Sequence, residues 1–88
     1  RQREYFHRKG KWNKIPGWTK DLYYTALEKQ NNRCGICKAL MLRPVRDHNH
    51  ATNKARELLC DPCNRLLGAA FENIETLQSA IAYITKYK

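Results

Sequence analysis

The sequence has no run of about 18 apolar residues, the length that a membrane-spanning helix needs. It has no apolar signal segment near its N-terminus, no internal repeat and no low-complexity tract. Acidic residues are also scarce, because 8 Asp and Glu stand against 17 Lys and Arg, a net charge of +9. These absences argue against a membrane or secreted protein and so predict an intracellular one, and the charge balance predicts a polyanionic partner.

The length predicts one small domain that needs a stabilising element. The chain has 88 residues, and a domain of this size buries only about 60% of its unfolded surface. Small domains therefore commonly depend on disulfides, a metal or a partner chain, and the four cysteines are the candidates here. Because the first residue is Arg1 and not methionine, the sequence is compatible with a piece of a longer protein.

Residues 1–18 predict a basic, aromatic N-terminal arm, followed by the domain at residues 19–88. The first 20 residues carry seven Lys or Arg and one Glu, so +6 of the net charge of +9 lies here. Cations suit phosphates and aromatic rings suit stacking, so we expect the arm to contact nucleic acid. The alternative is a solvated tail whose aromatic side chains dock on the domain. The predicted contact cations are Arg8, Lys9 and Lys11, and the aromatic residues are Tyr5, Phe6, Trp12 and Trp18.

Capping residues and hydrophobic periodicity predict an α+β domain. Thr19 is placed to cap a helix whose apolar residues recur at helical spacing through about Gln30. Two short strands are predicted at residues 45–48 and 55–59, with a polar loop between them. A short helix over residues 63–70 follows the second strand. The predicted order around the polar loop is strand, loop, strand, helix.

The C-terminal segment has the clearest helical period. Asn73 is placed to cap its start, and its apolar residues recur at spacings of three and four: Ile74, Leu77, Ile81 and Ile84. We expect this stripe to pack in the core, with a dimer face as the alternative. Earlier in the chain, the apolar run at residues 39–42 predicts a strand or a strand-like turn.

The four cysteines form two pairs with metal-ligand spacing. Cys34 and Cys37 are separated by two residues, as are Cys60 and Cys63, and 22 residues lie between the pairs. Two residues between thiolates allow a tight turn to bring both sulfurs to one ion, and two such turns complete a tetrahedral zinc site. Four protein ligands leave no open position, so the site is predicted to be structural. Two disulfides are the alternative, but they require an oxidising compartment.

A second set of polar residues lies between and directly after the cysteine pairs. Asp47 and His48 end the first predicted strand, His50 follows in the loop, and Asn64 comes directly after the last cysteine. The oxygens of Asp47 and Asn64 suit a hard cation such as Mg²⁺, which stabilises charge on a phosphate, and neutral His48 suits a general base. Neighbours on a regular strand point to opposite faces, so Asp47 and His48 are expected at a strand end or a bulge.

Each of these residues also has a simpler explanation. Asp47 is free to pair with a nearby arginine on the surface, and Asn64 to cap the helix that starts at Pro62. His48 and His50 suit exposed loop histidines or a second zinc pair. We favour catalysis because all four residues occur together between two predicted zinc turns.

The pattern Cys34-x2-Cys37, Asp47-His48-x-His50, Leu58-Leu59-Cys60-x2-Cys63-Asn64 resembles the recombination endonuclease VII family. That family belongs to the His-Asn-His nucleases with a ββα-metal fold. The resemblance covers roughly residues 19–85. It implies a zinc-stapled ββα-metal core flanked by helices, in a bacterium or a phage-infected cell. At the places of Asn53 and Glu57 the family pattern usually has glycine.

The resemblance also implies roles for individual residues. Asp47 and Asn64 would hold a catalytic Mg²⁺ or Mn²⁺, and His48 would be the general base. His50 matches a family position near the scissile phosphate. Arg56 matches a commonly basic position that clamps phosphate, and Arg46 and Arg65 are further candidate DNA contacts from proximity alone.

The resulting prediction is a metal-dependent DNA endonuclease, acting on duplex or branched DNA, as a monomer or a homodimer. Within this class, a sequence-specific nicking or restriction enzyme competes with a junction-resolving or nonspecific nuclease. The rivals outside the class are a catalytically inert zinc module that binds DNA and a zinc-centred protein-interaction domain. Neither rival needs a hard-cation site beside the zinc.

Overall fold

Helix α1 (Lys20–Lys29) is the first element in the part of the chain that the computed structural model describes, residues 15–88. The Thr19 hydroxyl accepts a 3.1 Å hydrogen bond from the Leu22 N–H, as a capping residue should. Asn31 and Asn32 follow the helix with φ of 53° and 61°, a left-handed conformation that asparagine tolerates better than most residues. The predicted start and end of this helix are confirmed.

Strands β1 (Val45–His48) and β2 (Ala55–Leu59) pair in an antiparallel hairpin, with the predicted bounds. Arg46 pairs with Leu58 and His48 pairs with Ala55, so two residues of β2 face the single residue Asp47. This is a β-bulge, and the Arg56 side chain of β2 is directed toward Asp47 there.

The loop between the strands is closed by Asn49. Its side-chain oxygen accepts bonds of 2.8 and 3.0 Å from the N–H groups of Ala51 and Thr52. Asn53 has φ of 61°, which explains why asparagine is accepted where the family pattern has glycine. Glu57 is the other departure, but its φ is not positive, so the backbone places no demand for glycine there.

The sheet is followed by α2 (Asp61–Ala69) and α3 (Ile74–Lys86), which complete the predicted α+β order. Helix α1 packs against β2, and α2 packs against β1. The buried apolar residues of residues 15–88 are Trp18, Tyr23, Cys34, Met41, Leu58, Leu59 and Cys63. The cysteine turns therefore form part of this thin core. No helix in this part of the chain has the length and apolar character needed to cross a bilayer.

The predictions for two apolar segments differ in outcome. The run at residues 39–42 forms no regular strand, but Leu40 makes a single antiparallel bridge with Arg33, which agrees with the strand-like turn. The stripe on α3 does not pack in the core: Ile74, Ile81 and Ile84 are 70%, 64% and 62% exposed, and α3 has no buried residue. A helical period marks an apolar face, but the period carries no information about what covers that face.

The segment just before α1 is docked on the hairpin. Gly17 has φ of 84°, and a Cβ there would lie 2.5 Å from the Ala55 nitrogen and 2.6 Å from the Asn53 oxygen. Only glycine fits such a close approach of two backbones. Trp18, which the sequence grouped with the stacking residues of the arm, is only 6% exposed and lies in the core. Its ring is therefore not available for contact with bases.

Candidate metal and catalytic site

The four cysteine sulfurs meet at one point. All four lie within 4.8 Å of one another, and the Cys37 and Cys60 sulfurs are 3.7 Å apart. A regular tetrahedron with Zn–S bonds of about 2.3 Å has sulfur–sulfur edges of about 3.8 Å, so the cluster fits a zinc ion. All four cysteines are free thiols, which excludes the two-disulfide alternative in this structure.

The thiols differ in their protonation. Burial raises the pKa of the Cys34 thiol, but backbone N–H groups that include Ile36, at 3.3 Å from its sulfur, outweigh this and lower the pKa to about 6. Burial and the neighbouring sulfurs raise the pKa of Cys63 to about 12. The metal-free cluster therefore holds a thiolate at Cys34 and a protonated thiol at Cys63 near pH 7. A bound cation would favour the thiolate form of both.

Asp47 is a buried carboxylate held from two directions. Its residue is 7% exposed, and its backbone carbonyl accepts a 2.7 Å hydrogen bond from the Trp18 indole N–H. Its carboxylate accepts two hydrogen bonds from Arg56, at 2.5 Å from Nε and 3.0 Å from Nη2. The alternative that Asp47 pairs with an arginine is thus observed, although the pair lies at the bulge, where Asp47 is buried and Arg56 is about one-third exposed.

Arg56 links Asp47 to a second carboxylate. Its Nη1 and Nη2 atoms each lie 3.2 Å from an oxygen of Glu72, and the His50 Nε2 atom lies 3.4 Å from the Glu72 Oε2 atom. The hydrogen bonds with Asp47, and then those with Glu72, raise the pKa of Arg56 above its ordinary value. The guanidinium therefore stays charged between two carboxylates.

The histidines lie together at the end of β1. His48 is its last residue and is half-buried, and its ring centroid is 4.5 Å from that of His50. Asp47 and His48 were expected at a strand end or a bulge, and both features are present. Strand β1 ends at His48, and the bulge lies opposite Asp47. Within residues 15–88, the cysteines are the only cluster of three or more His, Cys, Asp or Glu that suits a metal, so the histidines form no second zinc site.

Asn64 lies in α2, the helix that packs against β1. Its side chain is half-buried and makes no hydrogen bond with other residues of 15–88. The residue at the helix cap is Cys60, so the alternative that Asn64 caps this helix does not hold. Its amide oxygen therefore remains uncommitted within α2.

The predicted DNA contacts differ widely in exposure. Arg65 is an exposed residue of α2 and pairs with Asp61 at 3.1 Å across one helical turn. Arg46 is only 7% exposed, and burial lowers its pKa while the neighbouring Tyr23 raises it. A side chain so buried has almost no surface with which to contact a phosphate. The arm residues Arg8, Lys9 and Lys11 lie outside the described residues.

Glu57 lies apart from the charged residues around Glu72. Its side chain packs over the cysteine turn, where any side chain at Gly35 would meet the Glu57 carboxylate. Asp47, Arg56 and Glu57 nevertheless line one open cleft beside the hairpin. An acidic side chain, Glu57, therefore stands at the edge of this cleft.

Two residues of the site were missed by the sequence reasoning. Trp18 supports the Asp47 backbone, but its position next to a basic segment made it resemble an arm residue. Glu72 lies between α2 and α3 and matches no motif. Phe71 and Glu72 both adopt left-handed φ, of 54° and 53°, at a helix end where glycine is usual. The sequence shows only that glycine is absent there, which does not identify Glu72 as a site residue.

Comparison with known proteins gives a consistent family. The sequence matches the recombination endonuclease VII family over residues 9–86. It is 42% identical over 74 residues to the Gene 59 protein of Mycobacterium phage D29, covering 80% of this chain and 45% of that protein. It is 40% identical over 72 residues to the Gene 59 protein of Mycobacterium phage L5, covering 77% and 44%. The chain thus spans about half the length of these relatives.

The fold is similar to that of a solved nuclease. The crystal structure of the ββα-Me type II restriction endonuclease Hpy99I superposes with a TM-score of 0.57 and 31% sequence identity, covering 93% of this chain and 48% of that one. The hairpin, the helix after it and the four-cysteine cluster are therefore a ββα-Me arrangement with a metal-binding staple. By its sequence match and its fold, the chain belongs to the recombination endonuclease VII family.

Proposed function

We propose that the chain is a metal-dependent endonuclease of the His-Asn-His type that hydrolyses phosphodiester bonds in DNA. The observation that carries this proposal is the placement of buried Asp47 opposite a bulge, directly before His48 at the strand end. The Asp47 carboxylate lines an open cleft and supplies an anionic ligand, and the imidazole of the next residue, His48, supplies a proton acceptor. The phage relatives support a role inside a phage-infected cell.

His48 is the general base of this proposal. Its half-buried ring lies at the mouth of the hairpin loop and is within 4.5 Å of the His50 ring, measured between centroids. Neutral imidazole takes a proton from the attacking water. The His50 ring is exposed and lies 3.4 Å from the Glu72 carboxylate. We assign His50 to phosphate contact.

Asp47 and Asn64 would hold a divalent ion, Mg²⁺ or Mn²⁺. Their oxygens are of the type that these ions prefer, and the Asn64 amide is uncommitted within its helix. When bound, such an ion stabilises the negative charge that develops on the phosphate and the leaving oxygen. The donor chemistry fits, although both Asp47 oxygens face Arg56 in this arrangement.

The proposed DNA surface comprises Arg56, Arg65 and the N-terminal arm, and it excludes buried Arg46. Arg56 is about one-third exposed and so presents part of its guanidinium to a phosphate at the cleft. The zinc at the cysteines is structural in this proposal, because four thiolates leave no open coordination position. Duplex and branched DNA are both candidate substrates.

A catalytically inert zinc module that binds DNA is the second candidate. One observation favours it: the Asp47 carboxylate is already neutralised by a bidentate arginine. Such a module would bind DNA with strong salt dependence and would not cleave it.

The test is plasmid cleavage by the zinc-loaded chain with and without Mg²⁺ or Mn²⁺, beside His48→Ala. We expect the parent to cut only with added metal and the variant to bind DNA without cutting. Gln78→Ala, on the exposed face of α3, is the control and should cut like the parent. The ratio of nicked to linear plasmid shows whether one or both strands are cut. A folded parent that binds plasmid, branched and single-stranded DNA but cuts none of them would establish the inert module instead.

A further inference from the structure

One guanidinium is shared by two carboxylates beside the candidate catalytic metal position. The Arg56 side chain makes two hydrogen bonds with the Asp47 carboxylate and two longer ones, of 3.2 Å each, with Glu72. The two acceptors differ in setting, because the Asp47 side chain is 8% exposed and the Glu72 side chain is 31% exposed. The arginine is thus held between an inner, buried anion and an outer, half-exposed one.

The inner pair conflicts with metal binding. A divalent ion on Asp47 and the guanidinium on the same two oxygens would place two cations within a few ångströms of each other in a partly buried site. Their repulsion is strong where solvent screening is weak. If Arg56 leaves Asp47, its positive charge is still paired with a carboxylate, because Glu72 already contacts the guanidinium.

We infer that Arg56 competes with the divalent ion for Asp47 and that Glu72 is the anion to which Arg56 withdraws when the ion binds. This inference rests on the proposed function, because it assumes a divalent ion at Asp47. Glu72 is then a positioning residue and not a metal ligand. When Arg56 withdraws from Asp47, its guanidinium stays beside the cleft, where it contacts the phosphate of the substrate.

The position of Glu72 supports a dedicated role. Phe71 and Glu72 both adopt left-handed φ, a conformation that is unfavourable for residues other than glycine. The Glu72 N–H closes the end of α2 with a 2.8 Å bond to the Leu67 carbonyl, a role that glycine would fill without strain. His50 lies 3.4 Å from the same carboxylate, so the outer anion contacts both candidate phosphate-binding side chains.

The test measures Mn²⁺ binding to the full, zinc-loaded chain in the absence of DNA. Binding is measured by calorimetry and by the electron paramagnetic resonance signal of free Mn²⁺. Four proteins form a cycle: the parent, Arg56→Gln, Glu72→Gln and the double variant. Asp47→Asn defines binding at the proposed site, and zinc content with circular dichroism verifies folding. Should Arg56→Gln not fold, Arg56→Lys replaces it, because lysine keeps the charge but forms no bidentate fork.

We expect Arg56→Gln to tighten Mn²⁺ binding by about tenfold, because a competing cation is removed. With Arg56→Lys the gain should be smaller. Glu72→Gln should weaken Mn²⁺ binding several-fold when Arg56 is present. Without the Glu72 carboxylate, Arg56 stays paired with Asp47 and competes more strongly with the ion. The same change should have little effect in the Arg56→Gln background.

Other outcomes separate this inference from the function on which it rests. If Glu72→Gln weakens Mn²⁺ binding equally in both backgrounds, Glu72 acts on the ion directly and the inference is wrong. Unchanged affinity in Arg56→Gln, with binding still lost in Asp47→Asn, overturns the competition and leaves the proposed function standing. If no protein of the cycle shows Asp47-dependent Mn²⁺ binding, the proposed metal site itself fails and the inference fails with it.

Discussion

The Trp18 indole N–H donates a 2.7 Å hydrogen bond to the backbone carbonyl of Asp47, and this bond ties the segment before α1 to the candidate catalytic strand. The two residues are 29 positions apart, and both are buried. The bond satisfies a buried carbonyl at the bulge, where the regular ladder is interrupted. The N-terminal segment therefore helps to position the strand that carries Asp47 and His48.

Trp18→Phe tests this bond. The variant keeps an aromatic ring in the core but leaves the Asp47 carbonyl without its donor, so we expect the free energy of unfolding to fall by about 1 to 3 kcal/mol. Urea unfolding of the zinc-loaded chain, followed by circular dichroism, measures it. Tyr83→Phe, at a 68% exposed position of α3, should change it by less than about 0.5 kcal/mol. Equal stabilities for Trp18→Phe and the parent would contradict the anchoring role.

Gly17→Ala should destabilise the domain by more than about 1 kcal/mol, because the added Cβ would meet backbone atoms at 2.5 and 2.6 Å and because φ is 84°. Gly68→Ala is the matched control. Gly68 lies inside α2 with nothing within 4 Å of an added Cβ, so alanine should stabilise by about 0.5 to 1 kcal/mol. Thermal unfolding of both variants gives the comparison. The same sign of change at both positions would show that Gly17 is not in close contact with β2.

Gln30 acts as a short extension of the sheet. Its side-chain amide donates a 2.9 Å bond to the Leu58 carbonyl and accepts a 3.0 Å bond from the Leu58 N–H. Gln30→Ala leaves both groups of a fully buried residue without these partners, so we expect a loss of about 1 to 3 kcal/mol in the free energy of unfolding. Gln30→Glu should also destabilise, because a carboxylate accepts but does not donate. Urea unfolding beside Gln78→Ala checks this, and a fully stable Gln30→Ala would contradict it.

Features set by neighbouring residues were predictable from the sequence. Val45–His48 and Ala55–Leu59 have the predicted bounds, because Pro44 and the polar loop limit them locally. Thr19 and Asn73 cap their helices as predicted, each through a bond to the N–H three residues later. The meeting of the four sulfurs was likewise implied by two spacings that each form a turn.

Features that depend on distant contacts were not predictable. Arg56 and Glu72 are 16 positions apart and meet only because α2 turns back beside the hairpin. The residues that flank Trp18 in the sequence are compatible with a place on an arm or in a core, and only the fold distinguishes these two locations. The period of Ile74, Ile81 and Ile84 marks an apolar face, but among residues 15–88 no element covers it.

Removal of zinc should unfold the domain. The cysteine turns contribute Cys34 and Cys63 to a small buried core, and the Cys37 and Cys60 sulfurs lie 3.7 Å apart with no disulfide between them, a separation that a shared cation would stabilise. We expect a strong chelator to abolish the circular dichroism signal of the helices, and added zinc to restore it. Dithiothreitol alone should have no effect. A domain stapled by disulfides would instead unfold in dithiothreitol and be unaffected by the chelator.

Zinc affinity should fall as the pH is lowered, because protons compete with zinc for the thiolates. The raised pKa of Cys63, about 12, means that zinc must displace its proton at every pH from 5 to 8. The pKa of Cys60 is also raised, so zinc must displace that proton as well. The pKa of Cys34, about 6, adds a further proton only below that pH. Zinc dissociation constants measured by chelator competition should therefore rise with decreasing pH, and more steeply below about 6. An affinity independent of pH across this range would contradict thiolate ligation.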